Sequence, residues 1–322
     1  MDRLSKFSVA GASSHRKTRW LEAPATAFAI AMAISCVLFA LPSAMFAQTP
    51  DAAPQREKFG IEKHGAIVYR KSDKYIVKCD IYQPIAGVKT DQRMPAVVMI
   101  HGGAWRTGSK ISMLRHARRM ARVGYVVMAI NYRLAPKYPW PAQIEDCRAA
   151  LVWLNEHAEQ YNVDTQRVGV YGYSAGAHLA SMLATTNEQN NMIKIRAAAV
   201  GGTPADFSWI DADSSALAYW LGTTRSAGDD VYLGASPISF VTPDDPPVFA
   251  FHGETDMVVP VESARRFHAA LEEQDVSSKL VEVANSGHFA TFSKMDLMVD
   301  VIKFFDQHLK PAAAPAPAPS DN

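Results

Sequence analysis

Cysteine is scarce in this chain of 322 residues, with three in all and no CxxC pair, and the ten histidines do not fall at metal-ligand spacing, so a structural zinc site has no support. Net charge is almost absent as well: 33 basic side chains stand against 32 acidic ones, with no long single-sign run in the central region, which argues against a nucleic-acid partner. No internal repeat is visible. What is abundant is apolar residue, at 48% against 20% charged, the balance of a globular protein with a sizeable core.

At the N-terminus Arg3, Lys6, Arg16, Lys17 and Arg19 precede an apolar run from Ala25 to Leu41 that ends in Pro42-Ser43-Ala44. A basic stretch, an apolar run, a breaker and small residues together form an export signal over residues 1–47, cut near Ala47-Gln48. The alternative is a retained membrane anchor, since the run is close to the shortest that spans a bilayer. Export places the mature chain in the periplasm or outside the cell and leaves membrane contact transient. Residues 48–58 are expected to be a flexible leader, 59–310 the folded domain, and 311–322 (PAAAPAPAPSDN) a disordered Pro/Ala tail. Cys36 falls in the signal, which leaves Cys79 and Cys147 either as one disulfide or as two buried thiols.

Within the domain, short apolar runs alternate with longer amphipathic stretches, the rhythm of an α/β protein with a mostly parallel sheet of about eight strands and helices on both faces. Residues 66–69 and 75–82 alternate as an antiparallel opening pair would. The runs 95–100, 125–130, 168–171, 197–200 and 248–251 are continuous, as expected of strands covered on both sides, and 279–283 reads as the last strand. Helices are expected at 110–123, 142–160, 175–186, 262–274 and 294–309. Residues 203–245 break the rhythm as a lid-like insertion.

Gly172-Tyr173-Ser174-Ala175-Gly176 follows a strand and opens a helix, the context that a G-x-S-x-G nucleophile elbow requires. A serine hydroxyl needs a base to take its proton and an acid to hold that base, and in this fold the chain order is serine, acid, histidine. Asp256 lies in the loop after the 248–251 strand, with Glu254 as its rival, and His288 follows the last strand beside Gly287. The segment His101-Gly102-Gly103-Ala104-Trp105 follows the 95–100 strand and supplies backbone donors for an oxyanion: Gly103 and Ala175 first, Gly102 in reserve. His101 reads as structural. Trp105, Tyr173, Trp209 and Trp220 are the candidate substrate contacts. Phe207, Trp209, Tyr219 and Trp220 of the insertion would form a shallow aromatic platform, with ordinary loop packing as the alternative.

With those motifs, and with Asn131-Tyr132-Arg133-Leu134-Ala135-Pro136, Pro141-Ala142-Gln143-Ile144-Glu145-Asp146, Ser236-Pro237-Ile238 and HGETDMVVP at 252–260, the chain resembles the α/β-hydrolase esterases related to hormone-sensitive lipase, above all the BD-FAE branch, over residues 60–310. The resemblance implies the α/β-hydrolase fold, Ser174, Asp256 and His288 as triad, and Gly103 with Ala175 as oxyanion donors. Two departures from the wider family stand out: Ala104 where glycine is usual, and too short a stretch before the oxyanion strand for a helical cap. The expected activity is hydrolysis of short acyl esters, acetyl or aromatic in type, through an acyl-enzyme and with no cofactor. Amide or formamide hydrolysis by the same triad, as in an arylformamidase, is the alternative within enzymes, and a non-catalytic binding protein on this fold is the alternative outside them.

Overall fold

The computed structural model describes residues 59–85, 93–190 and 192–310. The export signal, the leader and the Pro/Ala tail expected from the sequence lie outside the described residues, as does Cys36.

Eight strands form one sheet: β1 (Gly60–Lys71), β2 (Ile76–Ile85), β3 (Met94–Ile100), β4 (Val126–Ile130), β5 (Val163–Tyr173), β6 (Ile195–Gly201), β7 (Val248–Gly253) and β8 (Ser278–Val283), in the spatial order β1-β2-β4-β3-β5-β6-β7-β8. β2 runs antiparallel to both β1 and β4, and every other pairing is parallel. This is the α/β-hydrolase fold. The parallel strands need crossovers, and α1 (Leu114–Ala121), α2 (Ala142–Glu156), α3 (Ala175–Thr185) and α6 (Val261–Glu273) lie in them, while α8 (Leu297–Leu309) follows the last strand and packs back on the sheet. Two short helices, α4 (Ala218–Leu221) and α5 (Asp229–Gly234), lie in the insertion, and α7 (His288–Ser293) follows β8.

The central strands read as continuous apolar runs because both sheet faces are covered. Alternate side chains of β3 go to opposite cores: Ala96, Val98 and Ile100 pack with α2 and α3, while Val97 and Met99 pack with α1 and α8. β4 divides in the same way, Val126, Met128 and Ile130 against Val127 and Ala129. Each such Val or Ile contributes about 1.5–3 kcal/mol by leaving water. Cys79 and Cys147 are both buried free thiols, so the disulfide alternative fails; burial pushes the Cys79 thiol up to about 12.

The insertion differs most from expectation. Residues 203–245 do not stand off the body: Phe207, Leu217, Trp220, Leu221 and Tyr232 are buried in the same core as α2 and α3. Their apolar area is worth more inside than as an open platform.

Candidate active site

β5 ends at Tyr173 and α3 begins at Ala175, so Ser174 must make the whole turn between them. It does so at φ 57° and ψ −124°, a conformation that costs a non-glycine residue on the order of 1–3 kcal/mol. Two backbone bonds hold it there: Ser174 N–H donates to Gly201 O at 2.8 Å, and Ser174 O accepts from His178 N–H at 3.0 Å. The flanking glycines follow from the crowding of this turn. A Cβ on Gly172 would lie 2.1 Å from Gly176 O, and one on Gly176 would lie 2.1 Å from Ile100 O, so any side chain would force α3 away from the sheet.

Asp256 sits three residues past the end of β7, with its N–H on Gly253 O. Its Oδ1 accepts from the N–H of Val258 (2.8 Å) and Val259 (2.9 Å), and its Oδ2 accepts from His288 Nδ1 at 2.6 Å. Burial alone would raise the carboxyl's pKa. Bonds from His252, His288 and Val259 N–H outweigh it and hold the group well below the usual carboxylate range, so it is a carboxylate. Glu254 is exposed and uses only its N–H, on Val283 O. The structure therefore brings Asp256, and not Glu254, to His288.

His288 opens α7. The loops carrying it and Asp256 are tied by Thr255 N–H to Ser286 O, and Tyr173 Oη donates to His288 O at 2.5 Å. With Nδ1 committed to Asp256, Nε2 is the nitrogen left for chemistry. The ring lies over the end of β6: a Cβ on Gly202 would come within 3.1 Å of His288 Cε1, and the preceding Gly201 is the residue that holds Ser174 N–H. Ser174 itself is only partly buried, and its hydroxyl has no hydrogen-bond partner among the described residues.

The loop after β3 approaches from the other side, where a Cβ on Gly102 would be 3.2 Å from Ser174 Cβ. Gly103, Ala104 and Trp105 all have positive φ, at 121°, 50° and 56°. The loop closes on itself through Arg106 N–H and Thr107 N–H, both on Gly103 O. No hydrogen bond among the described residues uses the N–H of Gly102, Gly103 or Ala175. Those groups flank the serine, two before it in space and one at the positive end of α3.

Several residues brace this loop through contacts that the sequence did not show. Tyr132 Oη donates to His101 O at 2.9 Å and Ala135 N–H to Trp105 O at 2.9 Å, so the Asn131–Pro136 motif is a prop for the 101–105 loop. The motif is anchored in turn by Arg133 on the buried carboxylate of Asp146, which Arg70 also engages. Tyr219 Oη donates to Ala104 O at 2.8 Å. Trp105 Nε1–H donates to His178 Nδ1 at 3.1 Å, and His178 Nε2–H then donates to Ala235 O at 2.7 Å. That pattern needs a neutral ring, and burial pushes the His178 pKa down to about 4. His101 is buried, stacked on Tyr132 at 4.3 Å, and likewise pushed down to about 4.

Of the four expected substrate contacts, three require correction. Trp220 is 0% exposed and stacks on Trp105 with ring centroids 3.7 Å apart, which removes both from the surface. Tyr173 is buried, with its hydroxyl turned to His288 O. Trp209 alone is exposed, at 47%. The aromatic platform fails for one reason: Phe207, Trp105, Trp220 and His178 fill each other's space edge to face and face to face.

A family model, BD-FAE, matches residues 79–271, more than half of the chain. The chain belongs to the BD-FAE family. Its curated relatives include the probable carboxylic ester hydrolase LipM of Mycobacterium tuberculosis, 34% identical over 188 residues (54% of this chain, 44% of the relative), and the arylacetamide deacetylase of Oryctolagus cuniculus, 40% identical over 121 residues (36% and 30%). The match spans about half the length of LipM. Among solved structures, the Est2 esterase of Thermogutta terrifontis with propionate bound is similar at a TM-score of 0.64 and 26% identity, over 81% of this chain and 98% of that one.

Proposed function

We propose that this protein is a serine carboxylesterase that hydrolyses short acyl esters. The observation that carries the reading is the 2.6 Å bond from His288 Nδ1 to the Asp256 carboxylate, made at the sheet edge where left-handed Ser174 opens α3. Ser174 Oγ attacks the ester carbonyl while His288 Nε2 takes its proton. The tetrahedral oxyanion is received by the N–H groups of Gly103 and Ala175, with Gly102 adjacent, each such donor being worth about 3–4 kcal/mol of barrier. His288 returns the proton to the departing alcohol, and a water activated by the same imidazole then releases the acid from Ser174. Every step is served by side chains and backbone of this chain, and none calls for a cofactor.

The short-acyl preference is supported by the filled space behind the oxyanion loop. A long chain must bury many methylenes, each worth about 0.8 kcal/mol, and Trp105, Phe207 and Trp220 occupy their corner with one another. The similarity to an esterase solved with propionate bound agrees with a small acid. The match to a deacetylase of arylacetamides supports activated aryl amides as a second substrate class. Export to the periplasm or medium is supported by the basic leader and apolar run ahead of residue 48.

Labelling by a fluorophosphonate probe, mapped to Ser174, tests the nucleophile. A p-nitrophenyl ester series from acetyl to palmitoyl tests the preference: kcat/KM is expected to peak between acetyl and butyryl, and an optimum at long chains would overturn it. Acetanilides in the same assay test the amide class, and N-terminal sequencing of exported protein tests for a start near Gln48.

A further inference from the structure

His252, at the end of β7, is completely buried beside the proposed acid and has no part in the proton transfers described above. Its Nε2 lies 2.8 Å from Val259 O, which can only accept, so Nε2 carries the proton. The same N–H has a second, off-axis acceptor in Asp256 Oδ2 at 3.3 Å, the oxygen that also receives His288 Nδ1. Nδ1 of His252 is buried without a partner, and a proton there would be unsatisfied, so the ring is the neutral Nε2–H tautomer.

These contacts close a small circuit. His252 holds the carbonyl of Val259, Val259 N–H holds Asp256 Oδ1, and His252 N–H faces Asp256 Oδ2. One side chain thus fixes both the carboxylate and the peptide that orients it. A buried ring nitrogen left unpaired carries a desolvation cost that a merely space-filling leucine would avoid.

We propose that His252 is a positioning residue for the Asp256–His288 pair: by clamping the 256–259 loop it keeps Asp256 Oδ2 turned toward His288 Nδ1. The other ionisable groups around it are His288 and Tyr173 on the far side of Asp256, and Glu282 beside it on β8, which is paired with Arg265 of α6. The inference rests on the esterase reading, because it assigns His252 a role in that triad.

The test compares His252→Gln, whose amide N–H can still reach Val259 O, with His252→Asn and His252→Leu, which cannot. Expected for Asn and Leu is a fall in kcat of about tenfold or more at nearly constant KM, by analogy with the loss of other supporting residues behind a reacting group. The acid limb of kcat/KM should also move to lower pH, because the His288 imidazolium loses a well-aimed counter-ion. Gln should restore both. A fall in kcat with an unmoved limb means a structural role only and overturns the proposal, and so does a limb moved to higher pH, which would make His252 a competitor of His288. The downfield Nδ1–H proton resonance of His288, measured without substrate, gives a second readout: sharp in wild type and Gln, lost in Asn and Leu, with equal spectra in all four overturning the proposal. Failure of the esterase reading is seen separately, as absence of fluorophosphonate labelling at Ser174 in wild type.

Discussion

Tyr173 Oη donates to the backbone carbonyl of His288 at 2.5 Å, so the residue immediately before the serine holds the peptide of the histidine. Burial pushes the Tyr173 hydroxyl upward, which keeps it a donor at any working pH. The strand that leads into Ser174 therefore also holds the peptide of His288.

Ser174→Ala should reduce ester turnover about 10⁴-fold or more and abolish fluorophosphonate labelling without unfolding the protein. Ser174→Gly should do the same and raise thermal stability besides, since glycine adopts φ 57° without strain. Calorimetry of the two variants checks the second half; an unchanged or lower Tm in the glycine variant would mean the turn stores no strain.

Asp256→Asn should lower kcat by about 10⁴-fold, because an amide nitrogen facing His288 Nδ1 favours the wrong tautomer. Glu254→Gln should leave most activity intact, its side chain being exposed while His288 Nδ1 is bonded to Asp256. Steady-state kinetics on one ester decides between them.

Tyr219→Phe should lower kcat/KM by roughly tenfold while leaving the fold intact. It removes the donor on Ala104 O, in the strained part of the oxyanion loop, a loss of about 1–1.5 kcal/mol at the bond concerned. An unchanged kcat/KM would show that the 219 hydroxyl does not support the loop.

Stability should fall as pH drops from about 6.5 toward 4. His101, His116 and His178 are each pushed down to about 4 by burial, so the native protein resists protons that the unfolded chain binds from about 6.5 downward. Their contribution is complete above the unfolded pKa and is gone below the folded one. Asp256, held low, adds to the loss only below the ordinary carboxylate range, near pH 4. Urea midpoints across this window check the sign, and His178→Gln should make the slope shallower.

Strand and helix positions were legible because each central element carries its own period. β3 and β4 are apolar throughout since each faces two cores, and α1 and α8 cover one side while α2 and α3 cover the other. The serine was legible because a strand turning directly into a helix needs Gly172 and Gly176, and no other part of the chain has that pattern. The opening pair was only half visible: β1 spans Gly60–Lys71, well beyond the alternating 66–69, because as an edge strand it is exposed on much of its length and carries no continuous apolar signal.

What the sequence by itself determined is whatever lies within one element and its adjoining turn: the sheet order's apolar runs, the elbow around Ser174, the glycine loop at 102–103 and the positions of Asp256 and His288 at strand ends. Tertiary structure alone decided the rest, because those outcomes depend on contacts between residues far apart in the chain. It buried Trp220 against Trp105 where a surface platform was expected, and left Cys79 and Cys147 as separate thiols. It also joined Tyr219 to Ala104 across 115 positions, and brought His288 Nδ1 to Asp256 Oδ2 across 32. Apolar period records which face an element buries, whereas the partner that a buried donor finds is set by packing between elements.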